Sequence, residues 1–204
     1  MSALDTLIRH FERFPGIGSR QAKRFAFHLL TLPQDDAAEL ATLIGMVRAQ
    51  VALCPSCHRF FSKEGAMEMC AICLNGSRDN TKLAIVERDS DIDAIERSGM
   101  YDGYYFVLGG TVPLLDTQDT KKLRGGALKQ LVEMRGPLGL REIILGFSVN
   151  PDGENTARYV EILLKDAIAA YKLKVSHLGR GLSTGSELEY ADPETIKNAL
   201  KNRS

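Results

Sequence analysis

Apolar residues recur at helical spacing through the first fifty positions of this 204-residue chain. This pattern predicts three helices, over residues 2–14, 19–30 and 34–52. Ser19 is a good N-cap for the second helix, and Asp35 or Asp36 is expected to open the third. Four apolar residues of the second helix share one face: Ala22, Phe25, Ala26 and Leu29.

From residue 82 onward, short apolar runs alternate with helical segments. The apolar runs predict four strands: KLAIVE (82–87), YYFVLGG (104–110), EIILGFSV (142–149) and KVSHLG (174–179). Helices are predicted after the first three strands, over residues 89–98, 119–134 and 154–171. Gly125 and Gly126 weaken the second of these helices. A last helix begins at Asp192-Pro193, and the alternation as a whole predicts a parallel α/β sheet.

Charge is balanced overall, with 26 basic and 26 acidic residues, but it is unevenly distributed. Residues 1–30 hold five basic and two acidic residues, residues 83–98 hold two and five, and residues 121–141 hold six and one. Segregated charge of this kind can attract phosphate locally. No apolar run approaches the roughly 20 residues needed to cross a bilayer. Because the chain starts with an amphipathic helix and not a signal peptide, we expect a cytoplasmic protein without a membrane partner.

The four cysteines form two C-x-x-C pairs that are separated by twelve residues: Cys54, Cys57, Cys70 and Cys73. Each pair presents two thiolates on one side of a tight turn. Two such turns can surround Zn²⁺ tetrahedrally, at Zn–S distances of about 2.3 Å. Because protein ligands would fill all four positions, the predicted zinc site is structural and not catalytic.

Three alternatives to a zinc site are consistent with part or all of this cysteine pattern. Two disulfides are disfavoured in a reducing cytosol. An iron–sulfur cluster accepts the same four ligands and stays open as an alternative. Cys54 to His58 matches the haem-attachment pattern C-x-x-C-H, but that pattern leaves the second cysteine pair unexplained. The paired spacing favours zinc.

A glycine turn, Pro15-Gly16-Ile17-Gly18, lies between the first two predicted helices. Glycines allow a phosphate to approach the backbone, and N–H groups at the start of the next helix point towards it. Arg20, Lys23 and Arg24 lie off the apolar face of that helix. The segment looks like a helix-hairpin-helix motif, which contacts DNA without selecting a sequence. The alternative is a helical corner with the same glycines and no ligand.

Three carboxylates are expected near the carboxyl ends of predicted strands: Glu87 after the first, and Asp152 and Glu154 after the third. Strand ends converge in a parallel sheet, so the three could meet and hold Mg²⁺ through oxygen ligands. This arrangement resembles the Toprim domain of topoisomerases, primases and some nucleases. The alternative is that these residues serve solubility, helix capping or the docking of a partner.

The order of these features resembles the RecR family of bacterial recombination mediators over nearly the whole chain. The matching segments are FPGIGSRQAKRFAFHLL (14–30), CPSC, CAIC, SRD (77–79), KLAIVE, YYFVLGG, DGENTARYV and LEYAD (188–192). The resemblance implies an α/β protein in four parts. These are a helix-hairpin-helix region (1–52), a four-cysteine zinc finger (53–80), a Toprim domain (81–174) and a C-terminal strand and helix region (175–204).

The resemblance also implies a function. Family members are not regarded as enzymes. They assemble as dimers and ring-like tetramers around single- or double-stranded DNA, and with RecO or RecF they help RecA replace single-strand-binding protein at gaps. Five residues would contact DNA: Gly16, Gly18, Arg20, Lys23 and Arg24. Glu87, Asp152 and Glu154 would form an acidic docking surface, and the zinc finger would stiffen the link between domains.

The sequence departs from the family pattern at four places. The gap between the cysteine pairs is longer, Arg88 stands where a second acid is common, and residues 148–151 and 183–186 differ from the usual stretches. These departures leave the fold intact and bear on partner contacts. Two other functions also stay open. One is a Mg²⁺-dependent Toprim nuclease or topoisomerase-like enzyme that uses the three carboxylates. The other is a zinc-stabilised protein-interaction module that does not touch DNA.

Overall fold

A computed structural model describes residues 1–63, 65–114, 120–179, 188–191 and 193–201. The chain forms two compact units, an N-terminal unit (Met1–Ala52) and a C-terminal unit (Leu53–Ser204). Among the described residues, no helix is both long enough and apolar enough to cross a bilayer. Residues 183–186 and Asp192, which the sequence analysis singled out, lie outside the described residues.

The N-terminal unit consists of three helices: α1 (Ala3–Glu12), α2 (Ser19–Thr31) and α3 (Gln34–Gln50). The start of α1 is fixed by a capping box, in which Ser2 and Asp5 bond reciprocally to each other's backbone N–H. Helix α1 contacts α2 through the rings of Phe11 and Phe25, whose centroids are 5.9 Å apart. This edge-to-face contact holds the two helices as a hairpin.

Two helix starts differ from the prediction. Gly18 and not Ser19 is the N-cap of α2, because Gly18 has extended backbone and its carbonyl accepts the first helical bond, from Ala22 N at 3.0 Å. Helix α3 follows Pro33 at the cap position, which places Asp35 and Asp36 inside the first turn. Negative charge there is favourable to the helix dipole, although neither side chain caps the helix.

The C-terminal unit starts with the cysteine segment, which contains three short elements that the sequence analysis did not predict. They are β1 (Val51–Leu53), β2 (Phe60–Ser62) and α4 (Ala71–Leu74). The division between the two units falls within β1. Strands β1 and β2 form a two-stranded sheet. At three or four residues each, these elements are too short to show a hydrophobic period.

A four-stranded sheet follows, in the predicted parallel arrangement. Its strands are β3 (Asp79–Val86), β4 (Gly103–Val107), β5 (Glu142–Gly146) and β6 (Lys174–His177), in the order β4-β3-β5-β6. Its connecting helices are α5 (Asp89–Ser98), α6 (Gly125–Arg135) and α7 (Pro151–Tyr171). A 3₁₀ turn at Leu188–Tyr190 and a last helix, α8 (Pro193–Lys201), complete the described elements.

Alternate residues of the sheet enter two different cores. Leu83 and Ile85 of β3 pack with residues of α6 and α7 on one face. Ala84 and Val86 pack on the other face, with Ile92 of α5 and with the cysteine segment. A strand that is buried on both faces has a continuous apolar sequence, which explains the uninterrupted run in β3.

Glycines and a cap move several element ends away from their predicted places. Strand β4 stops at Val107, since Gly109 (φ +96°) and Gly110 (φ +149°) leave the extended conformation. Strand β5 stops at Gly146, and α7 begins at Pro151, three residues early, because the Asn150 side chain accepts a bond from Gly153 N at 2.7 Å.

The predicted helix over residues 119–134 is shorter than expected, because the described residues before Gly125 are not helical. Gly125 and Gly126, expected to weaken this helix, form its first turn. A Cβ at Gly125 would collide with the hydroxyl of Tyr159 on α7. The glycine therefore permits α6 and α7 to pack closely.

Arg78 joins the end of the cysteine segment to the sheet. Its guanidinium pairs with both carboxylate oxygens of Glu96 on α5, at 2.6 and 3.0 Å, and its Nε donates to Gly103 O at 2.8 Å. The Tyr105 hydroxyl donates to the same carboxylate at 2.6 Å. This bidentate pair ties α5 to the start of strand β4.

We expect Glu96→Gln to lower the free energy of unfolding by about 1–3 kcal/mol at neutral pH, because it removes a charge-assisted pair. Arg78 lowers the pKa of Glu96 below its ordinary 4.5. The carboxylate therefore stabilises the fold above that pH, and its contribution is lost as pH falls through the lowered pKa. Urea unfolding of both proteins at neutral pH and at an acidic pH below 4.5 should show a smaller cost of the substitution at the acidic pH.

Glu133→Gln is the matched control, because Glu133 lies 4.0 Å from Lys129 on the surface of α6. We expect this change to cost less than about 0.5 kcal/mol at either pH. A cost for Glu96→Gln that is the same at both pH values would contradict the assigned ion pair.

Candidate functional site

The four predicted metal ligands come together in one cluster. Cys54 and Cys57 lie on the turn between β1 and β2, and Cys70 and Cys73 lie at the start of α4. Their four sulfur atoms lie within 4.8 Å of one another. Zn–S bonds of about 2.3 Å in a tetrahedron would place the sulfurs about 3.8 Å apart, so the spacing fits such a centre.

Local backbone bonds shape each pair into a knuckle, Cys54–Cys57 and Cys70–Cys73. In the first knuckle, Cys54 N donates to Arg59 O at 2.8 Å and His58 N donates to Cys54 O at 2.9 Å. His58 completes this turn in the left-handed conformation, at φ +58°. In the second knuckle, Cys70 is the N-cap of α4 and accepts a bond from Leu74 N. These contacts are local, which is why the C-x-x-C spacing alone predicted them.

The chemistry of the cluster is suited to a bound cation. Cys54, Cys57 and Cys70 are at most 2 % exposed, and all four thiols are free. The hydrogen bond between Cys57 and Cys70 raises the pKa of Cys57 and lowers the pKa of Cys70 to about 2. Cysteine binds a metal as the thiolate, and thiolates at this distance repel one another unless a bound cation compensates their charge. The donor set therefore fits a tetrahedral metal ion.

His58 does not join the cluster, although it completes the C-x-x-C-H pattern. Its ring packs on Phe106, with centroids 5.1 Å apart. Burial, followed by the charge of Arg124, lowers the pKa of His58, which favours a neutral imidazole. The grouping of all four sulfurs is the arrangement of one four-thiolate centre and not of a haem attachment at the first pair.

The first knuckle is attached to the edge of the sheet. Val107 N of β4 donates to Cys57 O at 2.8 Å, so the knuckle covers part of an edge strand. Arg124 reinforces this contact, since its Nη1 donates to His58 O at 2.7 Å and to Val107 O at 3.1 Å. The sequence alone does not show this role, because Arg124 lies in the basic run over residues 121–141 with no local sign of its partners.

The predicted DNA-contact residues lie at the hairpin between α1 and α2. Gly16 has φ +76°, a conformation that favours glycine. Arg20, Lys23 and Arg24 are exposed on α2, and no salt bridge joins them to a carboxylate within the described residues. Their charges are therefore available to a ligand.

The start of α2 strengthens this arrangement. Gly18 supplies no side chain to cap the helix, and space around it is open. The N–H groups of the first turn, from Ser19 to Gln21, therefore have no side-chain partner from the cap residue. Uncapped N–H groups beside basic side chains form a site for an anion such as phosphate. A serine at the cap, as predicted, would have occupied one of them.

The three predicted carboxylates do not come together as a single ligand set. Glu87, which follows β3, and Asp152, in the first turn of α7, line one cavity of about 220 Å³, which we call the acidic cavity. Glu154 lines a neighbouring cavity of about 480 Å³ with Arg158 and Glu161. Among the described residues, the four cysteines are the only group of three or more metal-ligating side chains placed to hold an ion.

Gly153, between the two acidic residues of α7, is required by close packing. A Cβ at this position would collide with the carbonyl oxygen of Ser148. Asp152 Oδ1 accepts a bond from Leu114 N at 2.9 Å, and the Thr156 hydroxyl donates to Asp152 O at 2.6 Å. The backbone around Asp152 is thus held tightly against the end of β5.

Comparison with known proteins identifies three family models along the chain. A model described as RecR, helix-hairpin-helix matches residues 4–47, and one described as Toprim domain matches residues 81–178. A third, described as RecR, C-terminal, matches residues 181–204. These matches cover the N-terminal hairpin, the parallel sheet and the C-terminal segment.

Curated relatives match over nearly their full length. Recombination protein RecR of Chloroflexus aurantiacus is 39% identical over 197 residues, covering 97% of this chain and 91% of the relative. The protein of the same name from Syntrophobacter fumaroxidans is 36% identical, covering 98% and 94%. That of Legionella pneumophila is 33% identical, covering 100% and 97%. The chain therefore belongs to the RecR family of recombination proteins.

Proposed function

We propose that this protein is a non-catalytic recombination mediator that acts in the cytoplasm. It assembles as a clamp around single- or double-stranded DNA and, with RecO or RecF, promotes the loading of RecA at gaps. The observation that carries this proposal is the order of an exposed basic hairpin, a four-cysteine cluster and a Toprim sheet in one chain of the RecR family.

We propose that the four cysteines bind one structural Zn²⁺. Four thiolates suit zinc, and the ion would have no open position for water or substrate. Because the first knuckle bonds to β4 and the cluster packs on the sheet, the metal would stabilise the C-terminal unit. An iron–sulfur cluster, which accepts the same ligands, is the alternative that the metal content distinguishes.

We expect one zinc per chain in the purified protein, measured by inductively coupled plasma mass spectrometry. Cys70→Ser should lose most of the metal and unfold about 10 °C lower or more, because metal binding contributes directly to folding. Ser56→Ala, within the first knuckle but outside the ligand set, should keep both metal and stability. Bound iron with visible absorbance, or a metal-free Cys70→Ser protein of unchanged stability, would contradict the zinc proposal.

We propose that α2 and the preceding turn contact DNA through phosphates, with Gly16, Gly18, Arg20, Lys23 and Arg24 at the contact. The exposed cations and the uncapped helix start support this role. Phosphate contacts position a protein on DNA without selecting a sequence. Binding should therefore tolerate any sequence and weaken steeply with salt.

We propose that the functional clamp is a homodimer or homotetramer, joined in part through the N-terminal unit. Helix α3 has no buried residue, and five of its apolar side chains are 41–61% exposed: Leu40, Leu43, Ile44, Met46 and Val47. An apolar surface of this kind favours association, and a second copy of the chain is the partner proposed here.

We expect Arg20→Ala/Arg24→Ala to weaken binding of single- and double-stranded DNA about tenfold or more. The slope of log K against log salt should flatten by about 2, one for each lost phosphate contact. Arg141→Ala/Lys165→Ala removes two exposed charges elsewhere and should leave both quantities unchanged. Fluorescence anisotropy measures binding, and light scattering should give a mass of two or four chains for every variant.

An unchanged affinity and salt slope in the Arg20→Ala/Arg24→Ala protein would remove the hairpin from the mechanism. Failure of the assembled wild-type protein to bind either form of DNA at low salt would favour the protein-interaction module instead.

We propose that Glu87, Asp152 and Glu154 serve as an acidic docking surface for RecO or RecF. Asp152 and Glu154 are partly exposed in the first turn of α7, whereas Glu87 is 7% exposed and contributes from within the acidic cavity. Their division between two cavities supports docking more than a shared metal.

We expect Asp152→Asn/Glu154→Gln to bind DNA like the wild type and to lose most binding to purified RecO or RecF, because charge complementarity steers such contacts. In the same buffer with Mg²⁺, end-labelled DNA should stay intact on a denaturing gel with either protein. DNA cleavage by the wild type that the double substitution abolishes would support the Toprim nuclease. Retained partner binding would contradict the docking surface.

A further inference from the structure

Arg88 lies beside the buried carboxylate of the acidic cavity. Its Nη2 is 2.6 Å from Glu87 Oε1, and the Glu87 side chain is only 9% exposed. A buried carboxylate is costly without a counter-charge. Arg88 supplies that charge from the next residue in the chain, and it lines the same cavity as Glu87 and Asp152.

The other oxygen acceptors of the cavity also have protein donors. Asp91 Oδ2 accepts from the backbone N–H of Arg88 at 2.8 Å, and Asn150 Oδ1 accepts from Gly153 N at 2.7 Å. Asp152 Oδ1 accepts from Leu114 N at 2.9 Å. Each of these bonds fixes the start of a helix or a loop.

A divalent cation has specific requirements that this cavity does not meet. Mg²⁺ needs oxygen ligands at about 2.0–2.1 Å in near-octahedral geometry. It would have to displace the Arg88 guanidinium from Glu87 or tolerate that charge beside it. Glu154, the third carboxylate of the expected metal set, lines a different cavity. The residues present therefore do not fit the Mg²⁺ site that a Toprim sheet implies.

We propose that Arg88 is the resident counter-ion of the acidic cavity and that it excludes divalent cations from this Toprim domain. The guanidinium takes the place at Glu87 that a metal ion would need. Charge at this site is thus compensated from within the chain.

The test is a titration of the full-length, zinc-loaded protein with Mn²⁺ as the probe, followed by electron paramagnetic resonance of the free ion. Arg88→Ala and Arg88→Gln both remove the positive charge, and Gln keeps part of the aliphatic portion of the side chain. We expect each to bind one Mn²⁺ at least about tenfold more tightly than the wild type, because a nearby positive charge is lost. Isothermal titration with Mg²⁺ should show the same order.

Three controls locate the effect. Arg88→Lys keeps the charge and should bind Mn²⁺ as weakly as the wild type. Arg97→Ala removes an exposed arginine from the same helix without touching the acidic cavity, and it should also match the wild type. Adding Asp152→Asn to Arg88→Ala should abolish the gained site. Zinc content and circular dichroism show that each variant is folded.

Two results would overturn the proposal. One is tight Mn²⁺ binding by the wild type that Asp152→Asn removes, since the cavity would then accept a cation with Arg88 in place. The other is unchanged Mn²⁺ affinity in both Arg88→Ala and Arg88→Gln, since the guanidinium would then not be what excludes the ion.

Discussion

The packing of the four-cysteine cluster against the sheet is the interaction on which the C-terminal unit depends. Strands β3 and β4 are buried on both faces, and α6 and α7 cover only one of them. The opposite face is covered by α5 together with the cysteine segment. A segment with such short elements cannot form a core by itself, and the proposed metal cross-link would compensate for this. Without the packed cysteine segment, Val86 and Val107 would become more exposed to water.

Several charges that look available in the sequence are used inside the fold. Two of the six cations over residues 121–141 are used inside the fold, since Arg124 bonds to two backbone carbonyls and Arg135 lies over the Tyr104 ring at 4.3 Å. The three cations of α2, by contrast, are all exposed. A charge count along the chain therefore overestimates the positive charge that residues 121–141 present to a ligand. A cation is available to a ligand when it is exposed and has no partner within the fold.

The same distinction applies to the acidic end of the sheet. Glu87 is conspicuous in sequence, yet its carboxylate is buried and paired with its neighbour Arg88. Asp152 is partly exposed and also fixes the Leu114 backbone. A Toprim scaffold can thus keep its strand-end carboxylates while using them for local structure and surface charge. The fold is then compatible with a role in binding, and the identity of one adjacent residue changes what the cavity can hold.

Short-range patterns in the sequence determined the helices, the parallel strands and the four-cysteine ligand set, because each depends on residues a few positions apart. The predicted ends of helices and strands differ from the observed ends where a single backbone angle or helix cap sets the end, as at Gly109 and Asn150. The separation of Asp152 from Glu154 depends on where α7 begins, since residues two positions apart on a helix lie about 200° apart around its axis. Only the tertiary structure placed each of them at its own cavity. It alone joined Arg124 to His58, 66 residues away. Such pairs are set by how elements pack, and no local pattern encodes that.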